Sequence, residues 1–384
     1  MAERIYLDWN ALHPLRREAA AAMAAVAGPG PANPSSVHAE GRAARRILAL
    51  AREQVAAFVG TAADSVIFTS GGTEANLAGM WGLLAHDGRL AGKRLLVSAV
   101  EHPGVMAAAE HLGRFGVVVR TVPVDTNGAV DIDALLRLLD EGRGAVVCIQ
   151  LANSETGVVQ PLERIAAAVT AAGARLHCDM VQAAGKLPLR FAEWGIASAA
   201  IAGQKIGAPA GIGAWLLAGD GMVATLIPGT QERHLRGGTE NVIGAAGFGA
   251  AAEVAAAELG RWAALEGPRD ALEEGVLRAC EGTAVYGRGG TRLPNTSCLG
   301  LPAPVRGPVA VAALDLAGLA VSSGSACSSG MERVSRVVEA MGYGPQAAAR
   351  TVRISLGPAT PAEVVARVPA ELARVVRAAM GQAG

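Results

Sequence analysis

Between Val66 and Cys178 the chain repeats one pattern, a short continuous apolar run followed by a stretch with helical spacing. The apolar runs are Val66 to Thr69, Arg94 to Val100, Val117 to Val124, Ala145 to Leu151 and Arg175 to Cys178. Between them, helical spacing runs from S-G-G-T-E-A-N to about Leu84, and then over His102 to Phe115, Asp131 to Leu139 and Pro161 to Ala172. A strand that alternates apolar and polar residues can leave one face in water, whereas a continuous apolar strand has to be covered on both. Helices that return the chain between such strands supply both covers. The repeat therefore predicts an α/β domain with a mostly parallel sheet flanked by helices.

On the N-terminal side, I-Y-L-D-W-N-A reads as a short strand and turn, and the Ala-rich run Ala19 to Ala27 as a helix. A rigid G-P-G-P-A-N-P-S-S loop follows, then a helix over Val37 to Val59 that stops at Gly60. Further on, Ile212 to Leu217 reads as a strand and Asn241 to Leu259 as a long helix without strong caps. From about Arg261, short strands at Asn295 to Leu301 and Thr351 to Leu356 mix with helices. T-P-A-E at Thr360 to Glu363 reads as a capping box that starts a final helix reaching about Met380. These features predict a large domain over residues 16–258 and a smaller α+β domain formed by 1–15 with 259–384.

The 34 basic side chains balance the 34 acidic ones, which leaves no electrostatic footprint for nucleic acid or an anionic membrane. Alanine and glycine inflate the mean hydropathy of +0.32. No uncharged apolar run reaches the roughly 18 residues a membrane span needs. Arg16 and Arg17 before the Ala-rich run look superficially like a signal peptide, but the strand-like Ile5 to Asp8 lies upstream and alanine makes a poor signal core. The expectation is a soluble, cytoplasmic protein. Its five cysteines are scattered, odd in number and without a C-x-x-C pair, which argues against a disulfide framework and a metal site. Cys148, Cys178, Cys280 and Cys298 read as buried core thiols, whereas Cys327 lies in V-S-S-G-S-A-C-S-S-G, an accessible loop of small polar residues.

Open parallel sheets bind ligands outside the carboxyl ends of their strands. The residues just beyond those ends include Gly72, Thr73, His102, Asn153, Glu155, Asp179, Gln182 and Lys205. Lys205 sits among small and apolar residues in A-A-I-A-G-Q-K-I-G, where burial would lower its pKa and make it a candidate imine former. Alone it reads equally as a solvent-facing lysine on a Gly-rich turn. Gly72 and Thr73 open a helix and suit a phosphate, or they form an ordinary N-cap. Asp179 ends a strand in apolar company and needs a partner, either a protonated pyridine nitrogen or an arginine. An imine-forming lysine, a carboxylate for a pyridinium and a helix N-terminus for a phosphate are together the fixtures that pyridoxal phosphate requires.

Several stretches occur in the same order as in a known family. They are Y-L-D-W-N-A, N-P-S-S-V-H-A-E-G-R, F-T-S-G-G-T-E-A-N, E-H-P, N-S-E-T-G, H-C-D-M-V-Q-A-A-G-K, Q-E-R-H-L-R-G-G-T-E-N, S-S-G-S-A-C-S-S and V-R-I-S-L-G. From Tyr6 to about Leu356 the chain resembles the cysteine desulfurases, class V enzymes of the fold type I pyridoxal-phosphate group. The resemblance implies that Lys205 holds pyridoxal 5'-phosphate as an imine, Asp179 pairs with the pyridine nitrogen and Gln182 bonds the phenolic oxygen. It implies that His102 stacks on the ring and assists proton transfer, and that Gly72 and Thr73 bind the phosphate. Thr239 in G-G-T-E-N would serve the phosphate of a neighbouring subunit, which implies a homodimer. Asn153 and Arg353 would hold the substrate carboxylate. The implied reaction converts L-cysteine to L-alanine, with sulfur taken as a persulfide on Cys327 and passed to an acceptor protein or scaffold. Iron-sulfur cluster assembly, tRNA thio-modification and cofactor sulfuration are all open as destinations.

The chain departs from the family around the lysine. The usual Ser-x-His-Lys is Ala202, Gly203, Gln204, Lys205 here, and the usual Thr-Thr after the first Asn is Leu12, His13. Gln204 can donate a hydrogen bond to a phosphate but brings no positive charge. Two other readings stay open. One is a related class V enzyme, a selenocysteine lyase or aminotransferase, and the other is a non-catalytic paralogue acting as a sulfur-transfer or assembly partner.

Overall fold

The computed structural model describes residues 4–28, 32–219, 226–324 and 334–381. Its centre is a seven-stranded sheet in the order Val66–Thr69, Gly213–Leu217, Ser198–Ala202, Arg175–Asp179, Val146–Cys148, Arg94–Ser98 and Val118–Val122. Only Gly213–Leu217 runs against its two neighbours, and the remaining pairings are parallel. The expected mostly parallel sheet is present. Ser198–Ala202, which leads directly into Lys205, is a strand that the pattern of apolar runs did not separate from the Gly-rich stretch after it.

Side chains alternate across this sheet into two different apolar layers. Leu96, Val147, Leu176 and Cys178 join a cluster with the helices Ala39–Val59, Leu162–Ala171 and Val242–Ala257. Leu95, Val97, Val146 and Cys148 join another with the helices Gly72–Leu84 and Pro103–Gly113. Both faces are covered, which is why the strands read as unbroken apolar runs. The same alternation sends His177 and Asp179 to the side of helix Gly72–Leu84, opposite Cys178.

A second sheet, antiparallel and four-stranded, has the order Ser322–Ser323, Thr351–Ser355, Thr296–Gly300, Ala284–Val285. Its apolar cluster takes residues from helices Glu266–Ala279, Gly307–Leu316 and Val364–Ala379, and also Ile5 and Leu7. The start of the chain belongs here because Ile5–Tyr6 pairs in parallel with Leu319–Ala320. Among the described residues no single helix is long and apolar enough to cross a membrane.

Two helix ends differ from expectation. Helix Val242–Ala257 does have a cap, since Asn241 accepts a hydrogen bond from Gly244 N–H at 2.9 Å. The T-P-A-E stretch does not cap its helix, which begins at Val364 with no side-chain cap. The Thr360 hydroxyl accepts instead from Gly357 N–H at 2.8 Å and closes a turn ahead of the helix. That turn is tightly packed: a Cβ at Gly357 would fall within the Trp9 ring, itself only 8% exposed. Gly357→Ala should therefore destabilise the fold by about 3 kcal/mol, measured by urea unfolding. A change below about 0.5 kcal/mol would mean that the ring moves aside freely.

Candidate active site

The site forms where the N-terminal segment crosses the turn that follows strand Ser198–Ala202. His13 N–H donates to Gln204 O at 3.0 Å and Arg16 N–H to Gly207 O at 2.9 Å. Gly207 has φ +83°, and a Cβ there would stand 2.7 Å from His13 Nδ1, so this close crossing requires glycine. Lys205 Nζ donates to Asn10 O at 2.8 Å and to Ala11 O at 2.6 Å. These two carbonyls compensate the partly buried amine.

Asn10 is fully buried and also receives Gln182 Nε2 on its carbonyl at 2.9 Å. Its Nδ2 donates to Thr296 Oγ1 at 2.8 Å and to Ser154 O at 3.2 Å, and its Oδ1 accepts from Asn295 Nδ2 at 3.2 Å. Asn10 lies within Y-L-D-W-N-A, yet composition and spacing give it no role. Only the fold shows what it joins.

Asp179 ends its strand beneath helix Gly72–Leu84. Its Oδ2 accepts from Asn76 Nδ2 at 2.8 Å and its Oδ1 from Val181 N–H at 2.9 Å. Among the described residues no arginine pairs with it. Burial pushes its pKa up, with the charges of His102 and Lys205 acting in the opposite direction. Asn76 is held in turn by His177, whose Nε2 lies 2.9 Å from Asn76 Oδ1, while His177 Nδ1 lies 3.0 Å from Ser198 Oγ. Trp215 Nε1 donates to Ser198 Oγ at 2.8 Å. Indole N–H only donates and the carboxylate only accepts, so with His177 neutral the hydrogen bonds all run one way, from Trp215 toward Asp179. His177 then carries its proton on Nε2, and burial drops its pKa to about 3.

His102 Nδ1 accepts from Gly104 N–H at 3.0 Å at the start of helix Pro103–Gly113. A Cβ on Gly104 would lie 3.1 Å from this nitrogen and 3.2 Å from Thr73 Oγ1, so the structure brings His102 and Thr73 together. Ahead of Thr73, a Cβ on Gly72 would press Val181 Cγ2 at 2.8 Å and Ala202 Cβ at 3.3 Å. Gly72, Thr73, His102, Asp179, Gln182 and Lys205 thus occupy one end of the sheet. Gln204 Oε1 beside them is buried, with no hydrogen-bond partner among the described residues.

Asn153 and Arg353 are both buried and already engaged. Asn153 Oδ1 takes the N–H groups of Glu155 and Thr156, each at 2.9 Å, and its Nδ2 donates to Val100 O at 3.0 Å. Arg353 donates from one guanidinium nitrogen to Asp8 Oδ1 at 2.6 Å and from another to Ser154 O at 3.0 Å. Its Nε is buried without a partner among the described residues. Glu155, picked out in the sequence by its place beyond a strand's carboxyl end, is buried beside Asn153. It accepts from Ser335 Oγ at 2.5 Å, and burial pushes its pKa up to about 7. Thr239 is exposed on the loop ahead of helix Val242–Ala257, and no hydrogen bond joins it to the other candidates among the described residues. Cys327 lies outside the described residues. The other four cysteines are free and buried, as their apolar surroundings predict.

A lysine held on two carbonyls, a buried carboxylate fed by neutral N–H groups and a glycine turn opening a helix define a class of fold as well as a site. The class-V aminotransferase family matches residues 5–368, and the chain belongs to it. A cysteine desulfurase of Cereibacter sphaeroides is 41% identical over 369 residues, 95% of this chain and 94% of that one. Among solved structures, a NifS-like protein superposes with a TM-score of 0.89 at 29% identity, covering 97% of this chain and 99% of its own. SspA in complex with cysteine superposes with a TM-score of 0.79 at 26% identity, covering 93% and 100%.

The buried relay makes a prediction about acid stability. Between about pH 6.5 and about pH 3 an unfolded histidine binds a proton that folded His177 refuses, so stability rises with pH across that window and is lost on acidification. Going from about pH 7 to about pH 5 should cost the fold about 2 kcal/mol through this residue. His177→Gln should lose stability overall yet show an acid slope shallower by that amount in urea unfolding at the two pH values. Parallel slopes would mean that His177 is charged in the folded protein.

Proposed function

We propose that the protein is a pyridoxal-phosphate-dependent cysteine desulfurase that converts L-cysteine to L-alanine, receives the sulfur as a persulfide on Cys327 and passes it to an acceptor. The observation that carries this reading is the meeting of Lys205 Nζ and Gln182 Nε2 on Asn10 O, beside a buried Asp179 whose hydrogen bonds come from neutral donors.

The donor set fits the cofactor. Asp179, costly to ionise where it lies, gains from a pyridinium N–H and would keep that proton in place. Gln182 has a second N–H for the phenolic oxygen. Gly72 and Thr73 offer the first amide groups of a 13-residue helix to the phosphate. Ala202 and Gln204 add no charge there, so this phosphate site relies on backbone and hydroxyl donors. Once bound, pyridoxal phosphate supplies an electron sink for the amino acid's carbon framework.

The chain's own residues do the rest. Lys205, after release from its covalent role, moves the proton at the substrate α-carbon, with His102 as a second proton carrier. Arg353 receives the substrate carboxylate through its Nε, which has no partner among the described residues, and shares its fork with Asp8, and Asn153 contributes its Nδ2. Cys327 as thiolate attacks the substrate sulfur, forming an S–S bond as the carbon–sulfur bond breaks toward the carbon framework, which is then protonated to alanine. Thr239, exposed and uncommitted to this site, suits the phosphate of a second copy in a homodimer. Free buried thiols accord with a reducing compartment, the cytoplasm.

The test is to give purified protein L-cysteine and follow alanine and protein-bound persulfide together. Both should appear in step. Lys205→Ala should remove the bound cofactor's visible absorbance and lower alanine formation by about 10³-fold or more. Cys327→Ala should abolish the persulfide, and full alanine turnover in that variant would overturn the sulfur-transfer step. Gln204→His should release the cofactor several-fold more slowly in dialysis, because a cationic imidazole would add charge to the phosphate site. Faster release would show that the phosphate is not near residue 204.

A further inference from the structure

Lys186 is only 2% exposed, and none of the proposed roles uses it. The charges that bear on it are Lys205 and Arg353, both positive, and with burial they bring its pKa down to about 7. No carboxylate pairs with it among the described residues. Its Nζ donates to Gln182 O at 3.0 Å and to Gln182 Oε1 at 3.1 Å, over the Trp262 ring at 5.6 Å.

A glutamine amide has an accepting end and a donating end of almost equal size, and which way it points depends on its neighbours. The Lys186 ammonium only donates, and it reaches both Gln182 O and Oε1, so the end of Gln182 that faces it is the oxygen. The other end, Nε2, then lies on Asn10 O at 2.9 Å, the same oxygen that Lys205 Nζ contacts at 2.8 Å. An amide nitrogen has two hydrogens. One is taken by Asn10 O, and the second has no partner among the described residues.

We propose that Lys186 is a positioning residue for the cofactor: by holding Gln182 Oε1 it keeps the amide's N–H end, with one hydrogen free, on the Lys205 side. This rests on the pyridoxal-phosphate reading given above. Without Lys186 the amide oxygen loses its donor in a buried place, and Asn10 O alone is left to hold the N–H end, so the amide's aim toward the phenolic oxygen loosens. The long apolar stem of Lys186 does not account for the site, since methionine fills a similar volume without a buried charge.

The experiment compares Lys186→Met and Lys186→Gln with the wild type. Apoprotein is titrated with pyridoxal phosphate at equilibrium, and the apoprotein melting temperature is measured in parallel. Lys186→Met should bind the cofactor about 10-fold more weakly, with an apoprotein melting temperature unchanged or raised because a costly buried amine is gone. Lys186→Gln, which restores an N–H donor, should return the affinity to within about 3-fold of wild type. A merely structural lysine would lower the melting temperature and leave the affinity of the folded fraction alone. Wild-type affinity in Lys186→Met, or equal weakening in both variants, overturns the proposal. Lys186→Gln decides the matter even if Lys186→Met does not fold, since weak binding by a stably folded Lys186→Gln overturns it too. If the wild-type chain takes up no pyridoxal phosphate, the functional reading itself fails. If it does so through Lys205 and only the Lys186 variants behave as wild type, this inference alone fails.

Discussion

One backbone carbonyl, that of Asn10, sets the terms for the rest of the site. An amine can be partly buried only where acceptors replace water, and a carbonyl oxygen has two lone pairs to offer. Here one oxygen serves both Lys205 Nζ and Gln182 Nε2. The same residue spends its N–H on Ser355 Oγ and its side chain on Ser154, Thr296 and Asn295. The strands of the smaller sheet and the turn after the larger one therefore position the lysine jointly. Movement of either sheet relative to the other would withdraw acceptors from a partly buried amine.

Around that point the buried polar groups form chains in which each hydrogen has one place to go. From Trp215 through Ser198, His177 and Asn76 to Asp179, a reversal at any step would leave two groups without partners, at about 1–3 kcal/mol each. Such chains are rigid when complete. They hold Asp179 in an orientation that its own rotamer freedom would not provide, and they do it with neutral donors. A carboxylate kept in this condition has more to gain from a cationic ligand than one already paired with arginine.

The sheet was legible because burial on both faces writes itself into composition, as in Leu95, Leu96 and Val97, whose side chains alternate between two apolar layers. The residues beyond the strand ends were legible for a related reason: open parallel sheets leave ligand sites in one place, so Gly72, His102, Asp179 and Lys205 stood out by position. Strand Ser198–Ala202 was harder, since S-A-A-I-A carries little β-propensity and owes its conformation to pairing on both edges. Thr360 misled because a hydroxyl can cap a helix or close a turn, and which of these wins depends on Gly357, not on the T-P-A-E pattern. Asn10, Asn76, His177 and Lys186 were invisible as site residues because their contacts cross from about 100 to 300 positions of sequence or depend on the direction of an amide. Motif membership marked all four, but it said nothing of what each one holds.

The turn Asn153 to Thr156 is tied to the same system. Ser154 O accepts from both Asn10 and Arg353, so the lysine's support and this buried arginine share an anchor. Glu155, the next residue, receives Ser335 Oγ, and a Cβ on Gly324 would stand 2.7 Å from its Oε2. Gly324 and Ser335 flank the stretch that contains Cys327, and both meet one carboxylate of the larger domain. Asn153 Oδ1 braces that turn by taking the N–H groups of Glu155 and Thr156 and the Thr156 hydroxyl. Gly324, Ser335, Arg353 and the acceptor for Lys205 thus meet at four consecutive residues.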